Sequence, residues 1–414
     1  MLGIGAETKF LVFNETAFRQ PWTAEARKRL ALTEESLELD KGYEDVGEIT
    51  GVRAQTAKVP GRETISGSVG VVAGPENGFA ELLASAAGGV ETIEGAFKRD
   101  YLTVAATTET LTGFPLTVGN EKIYLRTPPV AEAFQKWQLM ENVVGVPASL
   151  LEYNLDELTG ELTLHADAVG KQLLAHYTKD VAGVYSHFIK PAGEVPSFGL
   201  WSTKGGVDLF EFAGCMMNGA SIEASSEGFL GLTGDIVAAK QYIASLDATG
   251  HTFPAGLTLS ALDKFKFAQA RVMLNFAINA DFNALTWEIA NNLEQYWVLA
   301  CDAAAKRVFP ATQENTVGMS VVFENMVHYT RYIRETFFSL ELEYGGCANG
   351  VQIGATGENY RFYVYLPKYR IEGAPLPVAA EKIMLEGSGT ANLDEGLDYA
   401  YLAVIVNGQA SLFA

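Results

Sequence analysis

The chain has 414 residues, a length that suits two or three domains. Hydrophobic residues make up 48% and charged residues only 19%, against about 25% charged in an average soluble chain, so there is apolar surface for large cores or for assembly. A net charge of −20 excludes a grip on nucleic acid through its phosphates, which takes clustered Lys and Arg.

Taken from the start, residues 1–16 carry no basic region followed by an apolar run, so no signal peptide is expected. No run of about 18 apolar residues offers a membrane span. The segment 14–31 (NETAFRQPWTAEARKRLA) holds one basic cluster, Arg27, Lys28 and Arg29. It reads either as a cationic arm that docks on the acidic flank of a neighbouring subunit, or as an exposed helical turn balancing Glu25. Residues 63–72 (ETISGSVGVV) alternate as a half-buried strand does. Residues 78–87 (GFAELLASAA) follow Asn77, a candidate N-cap, and stop at Gly88-Gly89, which predicts a short helix. A strand is expected at 101–108. Helical spacing marks 168–177 and 235–246, with a strand at 219–224 between them. Residues 284–290 read as a strand, although propensity would allow a helix over 293–305. Strands follow at 315–323, 338–344 and 360–366. The glycine- and asparagine-rich 345–359 (GGCANGVQIGATGEN) is either a flexible contact loop that orders on assembly or an ordinary long hairpin. The picture is mainly β with a few short α-helices.

The chain repeats itself. Ser36–Glu44 lines up with Thr286–Glu294, Val59-Pro60 with Phe309-Pro310, and Glu63–Val69 with Asn315–Val321. The offset is 250 at the start and 252 at the end, and a helical stretch follows each copy, 78–87 and then 324–335. A weaker echo pairs 161–175 with 229–244, each read as strand then helix. Two related modules are expected, 1–180 with an N-terminal arm and 181–414.

Catalytic signatures are missing. There is no P-loop, no GxGxxG after a strand, no GxSxG and no HExxH. Cys215, Cys301 and Cys347 are odd in number and widely spaced, which argues against a disulfide scaffold and against zinc. His165, His176 and His187 recur at equal spacing but fall on different elements, a strand, a helix and a strand, and no Cys or His completes a set. Carboxylate pairs such as Glu34-Glu35, Glu157 with Glu161, and Asp394-Glu395 arise freely among 50 acids and read as solvated faces. No catalytic, cofactor-binding or metal-ligating residue is expected, and no enzyme.

The segment 197–241 carries Phe212, Gly214, Cys215, Asn218, Ser221 and Ile222 in a pattern like F-x-G-C-x-x-N-S-x-S-L, followed by a glycine-containing turn. Ser36-Leu37, Gly61-Arg62, Gly67, Leu82-Leu83 and Gly88-Gly89 mark the first repeat. Asn291-Asn292-Leu293-Glu294, with Asn292 and Glu294 as its fixed points, resembles an N-N-x-E turn in the second. In this joint order the chain resembles the phage tail tube (major tail) protein family. It departs in its extra length, at 120–195 and 243–285, and in lacking the Gly-Arg turn in the second copy, where Ala311-Thr312 stand. The resemblance implies duplicated β-sandwich or split-barrel modules with a flanking helix, whose strand edges pair across subunits. It implies a structural virion protein, made in the host bacterial cytoplasm, that stacks as rings into a tube through which double-stranded DNA passes without specific binding. Two modules per chain imply a trimeric ring that imitates six-fold symmetry. Implied partners are the chain itself and the tape measure, tail terminator and distal tail proteins, with no membrane. Two alternatives fit the same features: a β-sandwich binding or decoration module, as in an adhesin or on a capsid, and the inner tube of a contractile injection system.

Overall fold

In the computed structural model, residues 8–412 are described apart from 16–17, 20–26, 45–57, 129–135, 248, 280, 300–301, 347–348 and 377–382. Cys301 and Cys347 therefore lie outside the described residues. β1 (Lys9–Asn14) pairs antiparallel with β2 (Arg27–Leu30), while β3 (Leu32–Glu35) and β4 (Glu38–Asp40) run end to end along β5 (Thr64–Val72). The helical turn considered at 27–29 is thus a strand. α1 (Phe79–Ala87) follows, rich in Ala and Leu. It ends at Gly88, whose N–H reaches Ala84 O from a left-handed conformation. Its N-cap is Gly78, not Asn77; the Asn77 side chain instead accepts from Gly74 N–H at 3.0 Å and donates to Val72 O at 2.6 Å.

The chain then makes an excursion. It comprises β6 (Gly88–Glu94), β7 (Ala96–Thr103), β8 (Thr108–Thr110), β9 (Lys122–Arg126), β10 (Gln138–Leu139), β11 (Glu141–Asn142), β12 (Glu152–Asp156), β13 (Glu161–Leu164), β14 (Gln172–Lys179) and β15 (Tyr185–Pro191). Strands β7 to β14 form two four-stranded sheets around a core of their own that includes Leu111, Ile123, Leu162 and Leu173. The helix expected over 168–177 is β14. Leu173, Ala175 and Tyr177 enter that core while Leu174 enters the next one, so the strand is apolar on both faces and its pattern imitates helical spacing. His176 accordingly lies on a strand.

β16 (Phe198–Lys204), β17 (Asp208–Ser225), β18 (Gly231–Ala238) and β19 (Lys240–Ile243) come next, with the single turn α2 (Ala244–Asp247). The helix expected over 235–246 is therefore mostly strand, and the strand–helix echo between 161–175 and 229–244 is absent. The remainder is β20 (Ala270–Leu274), β21 (Ala277–Asn279), β22 (Phe282–Ala290), β23 (Glu294–Tyr296), β24 (Arg307–Phe309), β25 (Glu314–Val322), α3 (Val327–Ile333), β26 (Phe338–Tyr344), β27 (Arg361–Gly373), β28 (Met384–Ala391) and β29 (Leu402–Asn407).

Strand registers expose the duplication. Leu39 faces Ile65 as Ile289 faces Asn315, and Leu32 faces Val71 as Phe282 faces Val321. Both members of each pair advance by the same interval, 289 − 39 = 250 and 321 − 71 = 250. The same irregularity follows Leu32 and Phe282. The expected 252 over the second strand is thus a slip of two positions that keeps the same face. After the excursion, Phe198 faces Cys215 as Phe338 faces Tyr369, an interval of 338 − 198 = 140. The drop from 250 to 140 marks an insertion between α1 and β16 of the first copy, where the excursion lies. One unit is thus 9–87 with 198–243, and the other is 270–407. The border expected at 180 would part β1 from its partner β16 and β5 from its partner β18.

Each unit is a two-layered sandwich. The first layer is β3/β4–β5–β18–β17 in one unit and β22–β25–β28–β27 in the other. The second layer is β2–β1–β16–β17–β19, and correspondingly β21–β20–β26–β27–β29. β17 serves both layers because it bends at Gly214. With φ 65 this residue adopts a conformation that side chains resist, and a Cβ there would come within 2.9 Å of Ala239 Cβ. The excursion's stem, β6 and β15, joins the second unit by pairing β15 to β29. Between the layers lies a core in which Trp287 meets Tyr401 edge-on at 4.8 Å, both buried. Burying such side chains contributes roughly 1.5–3 kcal/mol each.

Candidate assembly interface

The first layers of the two units are joined edge to edge by β17 and β22. Gly219 faces Ala290, Ala220 faces Ile289, Ser221 faces Glu288 and Ile222 faces Trp287. Asn218 occupies the bulge at the start of this seam and crosses it twice. Its carbonyl accepts from Asn291 N–H at 2.7 Å and its side-chain oxygen accepts from Leu293 N–H at 2.8 Å. Asn291, buried at 1% exposure, donates its side-chain amide to Ala86 O and Met217 O, at 2.8 and 2.9 Å. A buried amide that left these groups unpaired would cost about 1–3 kcal/mol. Nothing in the sequence paired Asn218 with Asn291; their meeting depends on the register of two strands that are far apart along the chain.

The other motif residues serve the same joint or its surroundings. Asn292 turns the chain at φ 49 and donates to Thr312 O at 3.0 Å, and Glu294 opens the β23–β24 hairpin opposite Phe309. Gly42 (φ 47) and the bridge from Glu44 to Val59 make the matching turn in the first copy. Gly61 N–H donates to Lys41 O at 3.0 Å, as Ala311 N–H donates to Asn291 O, so the turn survives without the Gly-Arg pair. Gly67 sits beneath Ser36 and Leu37, and a Cβ there would come within 2.5 Å of Ser36 O. Phe212 and Cys215 fill the core, and burial pushes the Cys215 thiol well above its usual range. Ser221 lies on the outward face of the seam opposite Glu288.

In the basic cluster, Lys28 and Arg29 make side-chain contacts within the subunit. Lys28 pairs with Glu81, a fully buried α1 carboxyl whose pKa burial raises while Lys28 opposes the shift, and also donates to Gln409 at 2.6 Å. Arg29 donates to Leu257 O at 3.2 Å, and Arg27 faces Phe13 in β1. The loop 345–359 closes the β26–β27 hairpin. Its Glu358 takes Lys98 at 2.7 Å and Lys179 at 3.2 Å, which ties it to the excursion. Beside them Arg99 pairs with buried Glu341, and Arg361 donates to Phe97 O at 3.1 Å.

Two edges of the joined first layers have no strand beside them among the described residues: the outer side of β3–β4 and that of the end of β27. The face of this layer turned away from the core is acidic. Glu34, Glu38, Asp40, Glu223, Asp235, Glu288, Glu314, Glu372 and Glu386 stand exposed along it, and Arg370 on that face is tied to Glu372 at 2.9 Å. Among the described residues no group of three or more His, Cys, Asp or Glu side chains is placed to hold a metal ion. No helix among them is long and apolar enough to cross a membrane.

A family model described as phage tail tube protein matches residues 2–391. A search of curated proteins gives no match.

Proposed function

Because the chain belongs to the phage tail tube protein family, and is thus a structural component of the virion tail, we propose that it closes into rings of three chains that stack into a tube for DNA. The observation that carries this is the seam. Two sandwich units already share one continuous sheet through β17 and β22, and among the described residues that sheet ends in open edges on both sides. Three such chains supply six units, and edges that close on one another in a head-to-tail ring leave none exposed. The acidic face of the sheet then lines the bore. Duplex DNA carries about one negative charge per 1.7 Å, so a wall of carboxylates repels it within the screening length of about 8 Å at physiological salt. The tape measure, terminator and distal tail proteins are the partners this reading implies. Electron microscopy of concentrated protein tests it: rings or tubes with three chains per layer are expected. A particle that stays a single chain at all concentrations, or six chains per layer, contradicts it. Nothing among the described residues favours a binding or decoration module over this reading.

A further inference from the structure

The β17–β22 seam is a completed version of a junction that the chain leaves incomplete at its outer edges. We propose that Leu37–Asp40 receives Gly373–Leu376 of a second copy of this chain in the register of that seam, displacing a clasp formed by Glu35 and Lys204. The inference rests on the ring reading and adds the surface, the register and the obstacle.

The correspondence is fixed residue by residue. β22 answers to β3 and β4 at the interval of 250 (282 − 32). Leu232 faces Val71 as Leu385 faces Val321, so β28 answers to β18 at an interval of 385 − 232 = 153, which matches Ile236 with Gly389. Met217 faces Ile236 and Ile371 faces Gly389, with a bulge after each that ends at Gly219 and at Gly373, an interval of 373 − 219 = 154. Transposing the seam therefore sets Gly373 against Asp40, Ala374 against Leu39, Pro375 against Glu38 and Leu376 against Leu37. Pro375 is compatible with this. Its carbonyl accepts from Glu386 N–H at 3.1 Å, so its backbone turns toward β28, and Ala374 and Leu376 turn theirs to the open side. The N–H that proline lacks is not one the neighbour would need.

The receiving edge is occupied in the free chain. Leu37 N–H donates to Glu35 Oε1 at 2.8 Å, Leu37 O accepts from Lys204 Nζ at 3.3 Å, and the two side chains pair at 3.2 Å. At the completed seam the corresponding positions are Leu285 and Tyr344, both buried, and Trp287 is paired with Ile222. The ion pair therefore stands only where the edge is open, and it satisfies the backbone groups that a docking strand would satisfy. A polar cap of this kind discourages indiscriminate strand addition.

The test uses the full chain carrying Cys301→Ser and Cys347→Ser. Glu38→Cys with Pro375→Cys puts thiols on directly opposed, exposed positions. Glu34→Cys with Pro375→Cys displaces them along the strand by about 13 Å, beyond disulfide reach. After oxidation of assembled material, the first pair is expected to give covalent oligomers on non-reducing denaturing gels and the second to remain single chains. Assemblies in which neither pair links, or both link equally, overturn the register and leave the ring reading standing. Unmodified chain that never assembles removes the ring reading and this inference together. For the clasp, Lys204→Met is expected to shorten the assembly lag severalfold at low salt; a lag unchanged or lengthened overturns that part.

Discussion

His176 is enclosed by the rings of Phe97, Tyr124 and Tyr365, and burial, with Arg99 nearby, pushes its pKa down to about 3. The folded protein keeps this imidazole neutral, whereas the unfolded chain protonates it below about pH 6.5. The unfolded state then binds the extra proton, so stability is lost as pH falls from about 6.5 toward 3, at up to about 1.4 kcal/mol per pH unit from this group. His176→Phe is expected to flatten the loss of stability between about pH 6 and pH 4, followed by urea unfolding at each pH. An unchanged slope would place the acid sensitivity in other groups. At this scale the sequence was informative about residue type and uninformative about partners. Lys28 reads as a surface charge in a basic run, yet it stands against the buried Glu81 of α1, a partner that only the folded arrangement reveals.

Strands were legible where one face is buried and the other wet. Residues 284–290 and 315–323 correspond in this way to β22 and β25 almost end for end, whereas 338–344, which is β26, was legible because polar and apolar residues alternate along it although Ser339, Glu341 and Glu343 are buried as well. β14 and the β18–β19 stretch were not, because period-2 contrast vanishes when both faces are apolar or the strand is interrupted. The repeat was visible in short matches, but its second strand slipped by two, since a shift of two keeps every side chain on its face. The seam shows what such elements need in order to join. Asn218→Ala leaves Leu293 N–H without its acceptor and is expected to destabilise the β17–β22 joint by about 1–3 kcal/mol, read as a lowered urea midpoint. A midpoint that does not move would show that the strands hold their register without the side chain.

For the molecule as a whole, the family and the β-rich class were readable from motif order, while the layout of the two units was not. A long insertion divides the first unit in sequence but not in space, so a linear border at 180 cuts between strands that pair. The acidic sheet face gives a prediction at the same scale. Glu223→Lys, Glu288→Lys and Glu386→Lys together are expected to make the soluble chain bind duplex DNA at low salt and release it at about 0.5 M salt, as phosphate contacts do, measured by gel shift. A triple variant that ignores DNA would detach the face's charge from any role beside it.

Only one of the two sandwiches carries the excursion, and its stem is rooted in the second layer, on the side away from the acidic face. A closed ring of three chains would therefore present a bore of nearly six-fold smoothness and an exterior with three projections. On that ring reading, an insertion in a single copy would let the outside change its relief without roughening the channel.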